Sequence, residues 1–351
     1  METNWWSKIK WLISVYRDLK KNSLPKTIAG TRIIIAAIAS PALGVAINLI
    51  LPPSYYLGSI EITNGGVSFL TSTLGVMGFL LGSGLILLDI RAELNQARKV
   101  ARVIISGLPS MPTHFPSEIL SKSEQRLARE PIELSIQDDN IEKQVERYNA
   151  EVCVDLFKRF VLHHQCEKLY IGGLARIPFL VAYGVFLRNV SNITYFDKMH
   201  GSTNWRILDN EDVNIQLSNT EPLPKADENG NVGLAVGLST PILQEQLSIE
   251  FQNNTAILSS TTLVERNLVL NQENLQRLSS SLLATIDALS RDPKVRRIHL
   301  FLSVQSSLAI EIGRKFQEGI HKTWVIHNFN GNKGHYEWAL ELSGKGVKIY
   351  D

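Results

Sequence analysis

Polar and basic residues gather at four points where an apolar, strand-like run ends. These are Leu174-Ala175-Arg176-Ile177-Pro178, Asp197-Lys198-Met199-His200, Ser303-Val304-Gln305-Ser306-Ser307 and Phe329-Asn330-Gly331-Asn332. The chemistry they offer is recognition of an anion or a nucleotide. The first and third turns lead into helical patterns, whose first backbone N–H groups and positive dipole ends favour a phosphate. Arg176, Lys198 and Ser307 add charge or hydroxyl contacts, and Trp205, Phe329, Tyr336 and Trp338 offer flat faces for a base. The same residues have plainer readings. Arg176 fits a surface position, Ser306-Ser307 fits a helix cap, and Trp205 and Trp338 lie on apolar strands where a core role is favoured.

Catalytic signatures are absent from the sequence. There is no Walker A loop, HExxH, GxSxG or Cys/His metal cluster, and Cys153 and Cys166 are too far apart for a CxxC pair. His163-His164 reads as polar surface on a helix. The expectation is therefore a binding protein without cofactor or metal.

The turns need a scaffold, and the patterning supplies one. Lys168–Leu174 reads as a strand, Phe179–Leu187 as a helix, Ile193–Phe196 as a strand and Trp205–Leu208 as another. The order recurs near the C-terminus, with strand 297–303, helix 308–316, and strands 323–329 and 336–342. LYIGGLARIPFLVAYG and HLFLSVQSSLAIEIG align with Gly184 on Gly313. This is an internal duplication of a βαβ unit, each half Rossmann-like. In open α/β sheets a ligand sits beyond the carboxyl ends of the strands, where the four turns lie. Val232–Leu238 opens the second half, residues 263–289 read as amphipathic helix, and acidic residues 209–231 read as a solvated connection.

The N-terminal part differs in kind. Residues 33–51 and 62–88 carry no charge, and each is long enough to cross a hydrocarbon core of about 30 Å. Lys and Arg flank the pair on its outer sides and are missing from the loop 52–61, which places both termini in the cytoplasm. Gly75, Gly78 and Gly82 form a small-residue stripe that permits close helix approach within or between protomers. Trp5, Trp6, Ile9, Leu12, Ile13, Tyr16 and Leu19 mark residues 1–30 as an amphipathic helix in the headgroup layer. Residues 31–90 hold the two transmembrane helices. Residues 91–140 read as a juxtamembrane helix running to about Ile105 and a linker, and a helix from Ile141 to about Gln165 opens the soluble α/β domain of residues 141–351.

With these elements placed, the C-terminal segment resembles a known family. RRIHLFLSVQSSLAIEIGRKF, then TWVIHNFN and HYEWALEL, is similar to the end of SAVED domains, and VGLAVGLS at 232–239 to the strand opening their second half. Gln305-Ser306 stands where a proline-containing turn is often found. The resemblance implies two fused CARF-like halves that bind a cyclic di- or trinucleotide made by a cognate nucleotidyltransferase, in bacterial antiphage signalling of the CBASS type. The membrane helices then stand in the effector position.

Three functions compete on this reading. The leading one is a sensor whose ligand drives homo-oligomerisation and breach of the bilayer, ending in abortive infection. The second is a ring nuclease-like enzyme, with His200 or Ser307 as first suspects. The third is a membrane-anchored nucleotide receptor without pore activity.

Overall fold

The computed structural model describes residues 25–39, 69–108, 114–121, 124–125, 130–151, 166–209, 214–218, 222–261 and 264–350. It forms two compact units, Met1–Gln96 and Ala97–Asp351. Residues 1–24 of the expected amphipathic helix, the loop 52–61 and parts of both expected spans (40–51 and 62–68) lie outside the described residues, as do Cys153, His163 and His164.

In the first unit, helix α1 (Pro25–Ala39) packs against α2 (Phe69–Arg98). Gly82 lets the two backbones meet. A Cβ there would stand 2.7 Å from the Gly30 carbonyl oxygen and 3.2 Å from the Ile34 nitrogen. The small-residue stripe thus serves contact inside one protomer at this point. About two turns further along α2, the Asp89 carboxylate accepts from the Thr27 N–H and from the Thr27 hydroxyl at 3.0 Å, filling an orphan donor in the first turn of α1. Among the described residues one helical stretch, Gly75–Ala92, is long and apolar enough to cross a membrane, and only 17% of it is buried. Met77, Leu80, Leu81, Leu87 and Leu88 are exposed along it.

In the second unit the chain leaves the helix at Arg98 and enters β1 (Val100–Ser106) directly. This corrects the helix expected to Ile105. VARVII is apolar except for Arg102, which is itself buried, and a parallel strand buried on both faces lacks the alternation that separates strand from helix. The expected linker also contains β2 (Ile132–Ser135), which pairs in parallel with β1. After α3 (Ile141–Glu151) come β3 (Lys168–Leu174), α4 (Ile177–Phe186), β4 (Ile193–Lys198) and the short β5 (Trp205–Ile207). The first sheet has the order β2-β1-β3-β4-β5, parallel except for β5.

The second half repeats this with β6 (Asn231–Gly237), β7 (Thr255–Ser259), α5 (Gln272–Ser290), β8 (Arg297–Ser303), α6 (Ser306–Lys315), β9 (Thr323–Asn330), β10 (His335–Ser343) and β11 (Gly346–Tyr350). Its order is β7-β6-β8-β9-β10-β11, parallel from β7 to β9 and antiparallel beyond. β1, β3 and β4 thus correspond to β6, β8 and β9. Helix α5 begins nine residues after Leu263, the expected start, because the Asn271 side chain accepts from the Glu273 and Asn274 N–H groups and sets the cap. The acidic connection is not wholly solvated. Ile215 is buried, and the Ser218 N–H reaches the Ser259 carbonyl at 2.8 Å.

One core joins the halves. Phe179, Leu180, Val181 and Tyr183 of α4 share a buried cluster with Leu308, Ala309, Ile310 and Ile312 of α6, and with Trp324 and Ile326 of β9. The outer face of each sheet is closed separately, by Phe115, Leu120, Tyr170 and Phe196 in the first half and by Leu247, Phe251, Phe301 and Tyr336 in the second.

Candidate functional site

Helices α4 and α6 each follow the central strand of their sheet, and they touch across Gly184 and Gly313. Their N-termini therefore carry the turns 174–178 and 303–307 at the inner face shared by the halves. Alternation sorts the strand residues around them. On β4, Ile193 and Tyr195 belong to the shared core, so Asp197 also faces inward, while Phe196 faces the outer cluster. On β9, Trp324 and Ile326 face inward, so Asn328 does too.

Asp197 reaches from the first half into the second. Its carboxylate accepts from the Ser307 N–H at 3.0 Å, from the Ser307 hydroxyl, and from Gln305 Nε2 at 3.3 Å. Gln305 is the N-cap of α6 without capping it, because its amide is held elsewhere. Its Oε1 accepts from the Val269 N–H, and Nε2 also donates to the Val269 carbonyl at 3.0 Å. Burial pushes the Asp197 carboxyl up from the ordinary value, against the pull of the Ser307 and Gln305 hydrogen bonds. A carboxylate here occupies the anion seat at a helix N-terminus.

The corresponding end of α4 is different. Arg176 is its N-cap, Ile177 its first residue and Pro178 its second. Pro178 stands where α6 has Ser307, so this end lacks the N–H that Asp197 engages on the other side. The Arg176 guanidinium lies 5.7 Å from the centre of the Trp338 ring, which also packs on Phe179 at 6.2 Å. Trp338 pairs in register with Asn328 on β9. Ala175 closes the turn against Gly107, where a Cβ would stand 2.6 Å from the Ala175 Cβ.

A third wall comes from loops. The His200 N–H donates to Asn267 Oδ1 at 2.9 Å, and Arg266 Nη1 lies 2.7 Å from His200 Nε2. His200 thus sits on the surface between the β4–β5 turn and the segment leading to Val269. Arg266 and Asn267 had no signal in the sequence, since a cross-half loop contact leaves no local pattern.

The other expected residues are dispersed. Lys198 pairs in register with Trp205, and Trp205 packs edge-on against Phe196 at 5.5 Å on the outer face of the first sheet. Phe329 contacts Tyr336 at 5.3 Å, and Tyr336 contacts Phe301 at 5.0 Å, on the outer face of the second. Asn330 holds its own turn, donating to Glu337 at 2.7 Å and accepting from the Asn332 N–H at 3.0 Å. Val304 and Ser307 are buried, and Ser306 opens α6. The structure therefore brings Arg176, Asp197, Gln305, Ser307 and Trp338 to the inner face, and it turns Trp205, Phe329 and Tyr336 away. Asn328 was missed. Carrying the alignment of the halves through β4 and β9 places it on Asp197, because Leu169 pairs with Ile193 where Ile298 pairs with Trp324.

The sequence that forms most of these two halves matches a family profile. The profile of the SMODS-associated and fused to various effectors sensor domain matches residues 155–342. The chain belongs to the SAVED family. No curated protein matches the chain. Among solved structures, it is similar to an Acinetobacter baumannii Cap4 SAVED/CARF-domain containing receptor with the cyclic trinucleotide 2'3'3'-cAAA, at 13% identity and a TM-score of 0.46, covering 78% of this chain and 59% of that one. The same receptor with 3'3'3'-cAAA gives 12% and 0.45, with the same coverage. The Moraxella osloensis Cap4 receptor gives 11% and 0.41, covering 78% of this chain and 57% of that one. This chain therefore spans less than two thirds of those proteins. In this SAVED chain the first sheet also uses β1 and β2, which precede the matched residues.

Proposed function

We propose that this SAVED chain is a cyclic oligonucleotide sensor whose membrane helices are its effector. The observation that carries the reading is the pairing of two strand-to-helix turns on the inner face of duplicated halves, next to Asp197, Arg176 and Trp338. Such an arrangement presents a guanidinium, a ring and polar strand-end side chains to a ligand with several phosphates and bases. Family membership and the cyclic trinucleotides named for the Cap4 receptors support that ligand class.

The effector half of the proposal rests on α2. Its exposed leucines and the largely unburied stretch Gly75–Ala92 suit lipid or another copy of the helix pair. In this proposal two spans hold the protein in the inner membrane with both termini in the cytoplasm. Ligand supplied by a cognate nucleotidyltransferase favours a homo-oligomer, which gathers the helices and breaches the bilayer in antiphage defence. The ligand must bind the assembled state more tightly than the resting one.

The test has two stages. Full-length protein in detergent is screened for a melting-temperature shift with a panel of cyclic di- and trinucleotides. The protein is then placed in dye-loaded vesicles with the best binder. Binding with leakage supports the whole proposal. Binding without leakage leaves a receptor and removes the effector, and the absence of any shift removes the sensor.

A further inference from the structure

The two halves are built alike, yet only one of the two helix N-termini is closed by the protein itself. At α6, the second-position N–H belongs to Ser307 and is taken by Asp197. At α4 the second position is Pro178, which has no N–H to offer. The residue corresponding to Asp197 is Asn328, which is 95% buried on the inner face beside Trp338. Its Nδ2 has no hydrogen-bond partner among the described residues, and neither has Arg176 Nε. A buried donor left unpaired costs about 1–3 kcal/mol, so each such group calls for an explanation. Here two of them, from opposite halves, lie beside one residue: Arg176 is over the Trp338 ring, and Asn328 is the strand register partner of Trp338.

We infer that Arg176, Asn328 and Trp338 form the open subsite for one nucleotide unit of the ligand, while the Asp197 end is a closed latch between the halves. Both orphan groups are donors, so the occupant must supply acceptors. Arg176 takes a phosphodiester oxygen, Asn328 donates to an acceptor atom of the base, and the Trp338 ring flanks both. Asp197 already fills the anion seat of α6 and excludes a second phosphate there. The inference rests on the proposed ligand class.

The test compares wild type, Arg176→Gln and Asn328→Leu as full-length proteins in detergent. Two probes are titrated: the best binder from the cyclic panel, and 5′-AMP, which carries one phosphate and one base. Asn328→Leu removes a buried unpaired amide, so the free protein should melt no lower than wild type, which separates binding from folding. Both variants should weaken each probe by about tenfold or more, the usual loss for a hydrogen bond to a charged or buried group. If cyclic nucleotide binds and neither variant weakens it, the subsite is overturned and the sensor stands. If AMP binding is lost in Arg176→Gln while no cyclic nucleotide binds wild type, the subsite stands and the sensor falls. If wild type binds neither probe, both fall.

Discussion

Gly184 of α4 and Gly313 of α6 lie back to back where the halves meet. A Cβ on Gly184 would stand 2.9 Å from the Gly313 Cα, and one on Gly313 would stand 3.0 Å from the Gly184 Cα, each also colliding with a backbone carbonyl of the other helix. The paired glycines set how closely the helices approach. They thereby set how close the two N-terminal turns come to the inner-face residues of the opposite half.

Gly184→Ala and Gly313→Ala should therefore destabilise the soluble unit. Alanine normally gains about 1 kcal/mol over glycine inside a helix. Here the added methyl meets backbone that has no room to yield, and overpacking of this kind costs about 1–3 kcal/mol. Urea or thermal unfolding should show a net loss for both variants. Gly331→Ala, where nothing lies within 4 Å, should melt with wild type.

Asp197 separates charge from hydrogen bonding. Asp197→Ala leaves the Ser307 N–H and hydroxyl without their partner, a loss of about 1–3 kcal/mol. Asp197→Asn keeps an acceptor and removes a charge that burial disfavours. It should lie much closer to wild type in thermal melts. Equal losses in the two variants would show that the charge itself holds the halves.

The second sheet carries an acid-labile pair on its outer face. His299 Nδ1 and His327 Nε2 lie 2.9 Å apart against Phe251 and Phe301. Burial, aided by Arg297 for His299 and by His299 for His327, pushes them down to about 4 and about 3. Both are neutral in the fold near pH 7. Below about pH 6.5 the unfolded chain takes up protons that the folded pair refuses. Stability is thus complete above that pH and falls on acidification toward pH 4, by a few kcal/mol at about that point. Urea midpoints at pH 7.5 and 4.5 should differ for wild type, and the difference should shrink in His299→Phe/His327→Leu.

In the helix pair, Gly82→Ile should separate α1 from α2, since its side chain would occupy the position of the Gly30 carbonyl and Ile34. Gly84→Ile meets nothing within 4 Å and should leave the pair intact. Pulse proteolysis in detergent reads the difference as faster cleavage of the Gly82 variant alone.

Much of the scaffold was legible in the sequence. The strand 168–174, the strand 297–303 and the match of Gly184 to Gly313 follow from apolar patterning and from a repeat that can be laid over itself. So does the apolar length of α2. β1 was hidden because a strand buried on both faces and a helix tail share a run without period-two alternation, and β2 because four residues with two apolar side chains are too short to show a period.

What the sequence alone determined was the kind of molecule: an apolar helical N-terminal part, a duplicated α/β body, and polar turns at the strand ends. Only the tertiary structure decided which polar side chains share a space. Asp197 and Ser307 are 110 residues apart and hydrogen-bonded, while Phe329 and Asn328 are neighbours in the chain and face opposite sides of a sheet. The reason is physical. Local pattern reports the face a residue takes on its own element, but the meeting of two faces depends on packing between halves, which leaves no period in the sequence.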